Sequence, residues 1–229
     1  MKKVVHIIPV GHTKLTLTEG MRQFPFHKII LVLGKERTPG EEKAINVAND
    51  IEKEFGAIAE IEYLHVDMDD IYMAAIDMAK TIKAEQDNGN TVKVNTSGSL
   101  RTMGISSYLA CSVTGAEMYL ALPSYKNGSV TGITQIIEVS SFPLKEVGSE
   151  ELSILSFLLE RRAVGSVDEL IQWVNKKSKG SKGYLKERAR MSYHIKKLRE
   201  GGFIETEKRG KNLGIILTKL GELYSVGRG

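Results

Sequence analysis

The 229-residue sequence holds a single cysteine, Cys111. One thiol excludes an intramolecular disulfide and any zinc site built on cysteine thiolates, and it fits a reducing compartment. A long hydrophobic run is also missing. The start, Met1-Lys2-Lys3-Val4-Val5-His6-Ile7-Ile8-Pro9-Val10, is basic and then apolar. It is too short to span a bilayer and lacks a clear cleavage site, so it reads as a buried first strand of a cytoplasmic protein without a membrane partner. No G-x-G-x-x-G follows that strand, and neither G-x-x-x-x-G-K-[ST] nor G-x-S-x-G occurs. These absences remove a standard dinucleotide site, a P-loop and a hydrolase nucleophile elbow. No metal site is expected.

What is present divides in two. The length exceeds the usual single-domain size, and two domains are expected. Residues 1–143 carry 14 Lys and Arg against 17 Asp and Glu, net −3, whereas residues 144–229 carry 18 against 11, net +7. The positive charge is confined to the C-terminal part, as expected if that part alone touches a polyanion.

In the first part, apolar runs at Val4–Val10, Ile29–Leu33, Ile61–Val66, Val92–Val94, Met118–Leu122 and Ile133–Val139 read as strands. Between them, Ala44, Val47, Ala48, Ile51 and Phe55 form one helical stripe, and Ile71, Ala74, Ala75, Met78 and Ile82 form another. This alternation predicts an α/β fold: a Rossmann-like, mostly parallel sheet covered by helices on both faces. The last strand follows a short Tyr125-Lys126-Asn127-Gly128-Ser129 turn and is expected to be antiparallel. Ligands in such sheets bind beyond the carboxyl ends of the strands, where strand order reverses. Two loops qualify: Gly11-His12-Thr13 after the first strand, and Asn95-Thr96-Ser97-Gly98-Ser99-Leu100-Arg101-Thr102 after the fourth. The second has hydroxyls, a glycine that admits close backbone approach, a helix N-terminus and a planar donor fork in Arg101, a set suited to phosphate. The alternative is a capped turn in which Ser97 or Ser99 satisfies the helix N–H groups and nothing binds. His12 is the one histidine placed in a candidate ligand loop; His6 and His65 fall within strands.

In the second part, Leu152, Leu155, Leu158 and Leu159 mark a helix. Ser166-Val167-Asp168-Glu169 is a capping box for another. A third is expected from about Glu187 to Glu200, with Met191, Ile195 and Leu198 inward. Two strand-like runs follow around a basic tip, Lys208-Arg209-Gly210-Lys211-Asn212. The stretch RMSYHIKKLREGGFIETEKRGKNLGIILTKLGELY resembles a winged helix-turn-helix from recognition helix through wing to closing helix. The lysine-rich stretch from Lys176 to Lys186 departs from the usual short turn. The resemblance implies double-stranded DNA as partner, with contacts from Arg188, Arg190, Ser192, Tyr193, His194, Lys196, Lys197, Arg199, Lys208, Arg209, Lys211 and Asn212. Of these, Arg190, Ser192, Tyr193 or His194 would reach base edges.

Residues 1–139, with GH after the first strand and NTSGSLRT after the fourth, resemble the CARF domain, the CRISPR-associated Rossmann fold. A linker at 140–148 and the winged helix at 149–229 complete a chain similar to archaeal CARF transcriptional regulators of antiviral defense. That resemblance implies a homodimer binding a cyclic oligoadenylate, cyclic tetra-adenylate foremost, across its two-fold axis. The residues it implicates are Gly11, His12, Thr13, Asn95, Thr96, Ser97, Gly98, Ser99, Arg101 and Thr102. Ser99 stands where many relatives have a second glycine. Two alternatives stay open: a ring nuclease that cleaves its cyclic ligand, with His12, Ser97 or Arg101 as candidates, and a scaffold whose winged helix binds protein.

Overall fold

A computed structural model describes residues 2–36, 39–139, 147–210 and 212–228, the side chains of Pro39, Arg209 and Arg228 excepted. The chain forms two compact units, Met1–Phe142 and Pro143–Gly229. Of the expected linker, 140–148, only Val147 and Gly148 lie among the described residues.

The first unit runs β1 (Val4–Pro9), α1 (Lys14–Met21), β2 (Lys28–Gly34), α2 (Pro39–Phe55), β3 (Glu60–Val66), α3 (Ile71–Asp87), β4 (Thr91–Asn95), α4 (Arg101–Thr114), β5 (Glu117–Lys126) and β6 (Ser129–Val139). Strand order is β3-β2-β1-β4-β5-β6. The first five strands are parallel, and β6 returns antiparallel to β5 through Asn127 and Gly128, both at positive φ. Such a two-residue turn matches the twist of the strands it joins. β1 and β2 are buried along nearly their whole length because helices cover both faces of the sheet. Ile8, Val10, Ile29, Leu31 and Leu33 pack under α1 and α2 with Leu17, Met21, Ala48, Ile51 and Phe55. The alternate residues Ile7, Ile30 and Val32 are equally buried and point to the opposite face, as the two-residue period of a strand requires. There α3 and α4 pack together. Helix α1 is absent from the sequence-based expectation, because the threonines in Lys14-Leu15-Thr16-Leu17-Thr18 weaken the helical signal while Leu17 and Met21 are fully buried.

The second unit runs α5 (Ser149–Arg161), β7 (Ala163–Val164), α6 (Val167–Asn175), α7 (Tyr184–Glu200), β8 (Ile204–Arg209), β9 (Asn212–Leu217) and α8 (Lys219–Arg228), with a sheet ordered β7-β9-β8. Its core joins Leu155, Leu158, Leu170, Ile171, Met191, Ile195, Leu198, Phe203, Ile215 and Tyr224. Ser166 caps α6 by accepting from the Glu169 N–H at 3.1 Å. Helix α7 starts three residues before the expected Glu187 because Tyr184 is itself a core residue, its hydroxyl donating to Asp168 Oδ1 at 2.5 Å. Residues 176–183 form the longer connection. Among the described residues no helix is long and apolar enough to cross a membrane.

His6, fully buried in β1, has Tyr119 Oη 2.8 Å from Nδ1 and the Pro25 carbonyl 3.1 Å from Nε2. The neutral ring satisfies both by donating from Nε2 and accepting at Nδ1. Burial pushes its pKa down to about 4, against the hydrogen bond to Pro25, and the charge of Lys93 lowers it further. In the unfolded chain the ring titrates near its ordinary value of about 6.5. The unfolded state therefore takes up a proton below that pH which the native state refuses until about pH 4. The stabilisation is complete above pH 6.5 and is lost as pH falls toward 4, to the extent of about 3 kcal/mol. Calorimetric unfolding of the full chain between pH 7 and 4 should show this fall for the first unit. His6→Gln should lower stability at pH 7 and flatten the slope by about one proton; an unchanged slope would assign the effect to other groups.

Candidate functional site

Strand order reverses between β1 and β4, and the two loops leaving their carboxyl ends meet there. Each loop runs directly into a helix, α1 after Thr13 and α4 after Leu100. Among the described residues, no side chain caps either N-terminus. Both helices therefore present open N–H groups and the positive end of a dipole. The loops touch backbone to backbone: a Cβ on Gly11 would lie 1.6 Å from the Gly98 carbonyl oxygen, and Gly98 itself sits at φ +148°. Only glycine fits at both places.

The expected ligand residues divide by role. Asn95 and Ser97 are buried and hold the loop in place. Asn95 Nδ2 donates to the Leu17 carbonyl at 3.0 Å, its Oδ1 accepts from Ser97 N at 3.0 Å and from the Ser97 hydroxyl, and Ser97 Oγ accepts from Ala121 N at 2.7 Å. Thr96 N donates to the Tyr119 carbonyl at 3.0 Å, and Ser99 Oγ donates back to Thr96 O at 3.2 Å. That hydroxyl is directed into the loop, so the capped-turn alternative lacks its cap. His12 donates from Nε2 to the Gly40 carbonyl at 2.9 Å. Arg101 is exposed in the first turn of α4 and Thr102 is half-buried beside it.

A cavity of about 440 Å³ opens against these loops, within the ordinary range for small-molecule sites. Gly11, His12, Thr13, Gly98, Ser99 and Leu100 form one side of it. The other side comes from residues absent from the sequence-based expectation: Lys35 and Glu36 after β2, Gly40 and Glu41 in the first turn of α2, and Asp67, Met68 and Asp69 after β3. The loops after β2 and β3 also leave the carboxyl ends of parallel strands beside the switch point, a signal available in the sequence. Asn95, Arg101 and Thr102 do not line this cavity. A second hollow of about 230 Å³ lies across the Gly98 loop, bordered by Thr13, Thr16, Thr96, Ser97, Pro123 and Tyr125.

In the second unit, α7 buries Tyr184, Glu187, Met191, Ile195 and Leu198 and exposes Arg188, Ser192, Tyr193, Lys196 and Arg199. Arg190, itself exposed, and the half-buried His194 lie on the flank toward α5 rather than free at base edges, and both pair with Glu150, Arg190 through Nε at 3.0 Å. His194 Nδ1 also meets Glu151 Oε1 at 3.1 Å, and Lys197 Nζ reaches the same oxygen at 2.8 Å. Burial by itself would raise the Glu151 carboxyl, but the hydrogen bonds from Lys197 and His194 outweigh it and hold the pKa at about 2. Arg188 pairs with Asp168 at 3.2 Å. On the wing, Lys208 and Asn212 are exposed, whereas Lys211 and the side chain of Arg209 lie outside the described residues.

Residues 4–126 match the family described as HFX_2341_N:-like, N-terminal, and residues 150–226 match the DUF6293 C-terminal winged helix domain. An uncharacterized protein from Archaeoglobus fulgidus is 30% identical over 227 residues, 98% of each chain. Among solved structures, protein VC1899 from Vibrio cholerae is similar at 12% identity and a TM-score of 0.43, over 98% of this chain and 64% of that one. Can2 from Sulfobacillus thermosulfidooxidans, in complex with cyclic tetra-adenylate, is similar at 10% and 0.42, over 98% and 64%. Enterococcus italicus Csm6, bound to cyclic hexa-2′-fluoro-hexa-dAMP, is similar at 11% and 0.43, over 86% and 54%. The chain thus spans less than two thirds of the length of each of these three structures.

The tight approach of the two loops sets Gly11 apart from a glycine such as Gly104. Gly11→Ala drives a methyl into the Gly98 carbonyl and should destabilise by about 1 to 3 kcal/mol. Gly104→Ala, in α4 with nothing within 4 Å of the added methyl, should stabilise by about 0.5 to 1 kcal/mol through helix propensity. Denaturant midpoints of the two variants should move in opposite directions.

Proposed function

This chain belongs to the family that joins an HFX_2341_N:-like N-terminal domain to a DUF6293 C-terminal winged helix domain, and on that premise we propose that it is a transcriptional regulator which binds DNA in response to a cyclic oligoadenylate. The observation that carries the sensing half is the convergence of two uncapped helix N-termini on the Gly11–Gly98 contact, at the switch point of the sheet. Backbone N–H groups and two dipoles aimed at one place favour an anion. The likeness of GHT and NTSGSLRT to CARF loops supports a cyclic oligoadenylate, cyclic tetra-adenylate first, in a CRISPR-associated defence role. Within this reading Asn95 and Ser97 shape the loop, and Gly11, His12, Thr13, Gly98, Ser99, Arg101 and Thr102 meet the ligand. A ring of four phosphates needs more positive charge than one set of loops offers, and a symmetric dimer doubles it.

The DNA half rests on the winged helix and on its charge. Ser192 and Tyr193 occupy the exposed face of α7, where they would approach base edges, with Lys196, Arg199 and the wing residues Lys208, Arg209 and Lys211 on phosphates. Ligand binding alters operator affinity only if the ring binds one arrangement of the dimer more tightly than another.

Measurements on the ligand and on DNA test this reading. Cyclic tetra-adenylate at 100 times its dissociation constant should add about 2.7 kcal/mol to the stability of the chain. It should titrate at one ring per two chains, and Arg101→Ala should weaken it by about 1.5 to 3 kcal/mol. If no cyclic oligoadenylate of any ring size shifts the melting temperature, the sensing half fails. For DNA, affinity for duplex should fall steeply with salt, and Ala at 208, 209 and 211 together should flatten that slope by up to about 0.9 for each phosphate left without its cation. Glu150→Gln releases Arg190 and should steepen it by about 0.9; a salt-independent interaction would leave a protein-binding winged helix.

A further inference from the structure

The cavity beside the switch point has walls of opposite character. Toward the loops of β1 and β4 it is lined by the backbone of Gly11, Gly98 and Ser99 beside the two uncapped helix N-termini, the Gly98 N–H itself donating to the Thr96 carbonyl at 2.9 Å. Toward β2 and β3 it offers carboxylates. Two of these are already occupied: Asp67 Oδ1 accepts from Asp69 N at 3.0 Å and Asp70 N at 3.3 Å, and Glu41 Oε1 accepts from Gly34 N at 2.6 Å. The other two, Glu36 and Asp69, have no side-chain partner among the described residues. Lys35, on the same wall, is turned to Asp77 at 3.5 Å. A phosphate entering this end would meet like charge, so only a group that donates hydrogen bonds suits it.

A nucleoside phosphate has this polarity, with negative charge at one end and donors at the other. β1, β2 and β3 are consecutive neighbours in the sheet, about 5 Å apart. Moving from the Gly11 loop to Glu36 and on to Asp69 therefore follows phosphate, ribose and base in their covalent order. An acidic residue at the end of the second strand is where Rossmann sheets take a ribose 2′-hydroxyl. We infer that the cavity binds one whole adenosine unit of the ligand, with Glu36 accepting from the 2′-hydroxyl and Asp69 from the 6-amino group of the base. This rests on the reading of the ligand as an oligoadenylate. It makes Asp69 the residue that selects adenine over a base with a carbonyl oxygen at that position, because two acceptors then face each other without a proton between them.

Mononucleotides test this without the ring or the dimer. The full chain is titrated with adenosine, inosine and 2′-deoxyadenosine 5′-monophosphates by ligand-observed NMR. The expected result is preference for the adenosine nucleotide by roughly tenfold or more over each of the others, as for a hydrogen bond to a charged group. Asp69→Ala should abolish the preference over inosine and keep that over deoxyadenosine; Glu36→Ala should do the reverse, so each variant reports that the other's loss is not misfolding. The inference is overturned if the wild-type chain binds adenosine and inosine nucleotides equally, if it binds neither at millimolar concentration, or if both preferences survive both substitutions. Mononucleotide selectivity without affinity for cyclic tetra-adenylate would uphold the nucleoside pocket and sink the sensor reading. Tight binding of the ring without base preference would do the opposite.

Discussion

The amide of Asn95 is the constraint on which the first unit turns. It is fully buried at the end of β4, where an unpaired polar group is costly, so both its donor and its acceptor must be used. It spends the donor on the Leu17 carbonyl of α1 and the acceptor on Ser97 of its own loop, whose hydroxyl in turn takes the N–H of Ala121 in β5. One side chain thereby ties a helix, a loop and a neighbouring strand together. The positions of Gly98, of the α4 N-terminus and of the cavity mouth follow from it. Tyr119, fully buried behind the loop, extends the same polar chain to His6 in β1.

Much of the fold is legible in the sequence because parallel strands covered on both faces leave continuous apolar runs, and all six strands of the large sheet lie where those runs fall. The short turn from Tyr125 to Ser129 signals the antiparallel return, which the structure narrows to Asn127 and Gly128. What escapes is short or mixed in signal. Ala163–Val164 is too brief to show a period, and α1 spends threonines where a helix prefers straighter side chains. For the candidate site, the loops with glycine and hydroxyls can be seen. The direction in which a side chain points cannot, which is why Asn95 and Ser97 read as ligand groups while they are buried in hydrogen bonds of their own. Glu36 and Asp69 look in sequence like ordinary solvated loop charges, and only the topology brings them to one wall.

The winged helix teaches a related point about charge. A net count of +7 suggests a uniformly positive surface, yet Arg190, His194 and Lys197 are drawn against Glu150 and Glu151 in the first turn of α5. Carboxylates in that turn also suit the helix dipole. The clamp fixes the rotation of α7 about its axis, presenting Tyr193 and Lys196 outward, and it does so by engaging Arg190 and Lys197, charges that composition alone assigns to a polyanion.

Backbone contact between Gly11 and Gly98 also governs how the site can change over evolutionary time. Two loops 87 positions apart in the chain behave as one unit of variation: a side chain gained at either glycine must be met by a shift in the other loop, and an insertion in one separates both. Glu36 and Asp69, in the loops after β2 and β3, have no side-chain partner among the described residues. Descendants of this sequence that acquire a different ligand should therefore keep the glycine pair and rewrite the residues around 36 and 69, and a protein engineer seeking a new specificity would do well to begin there.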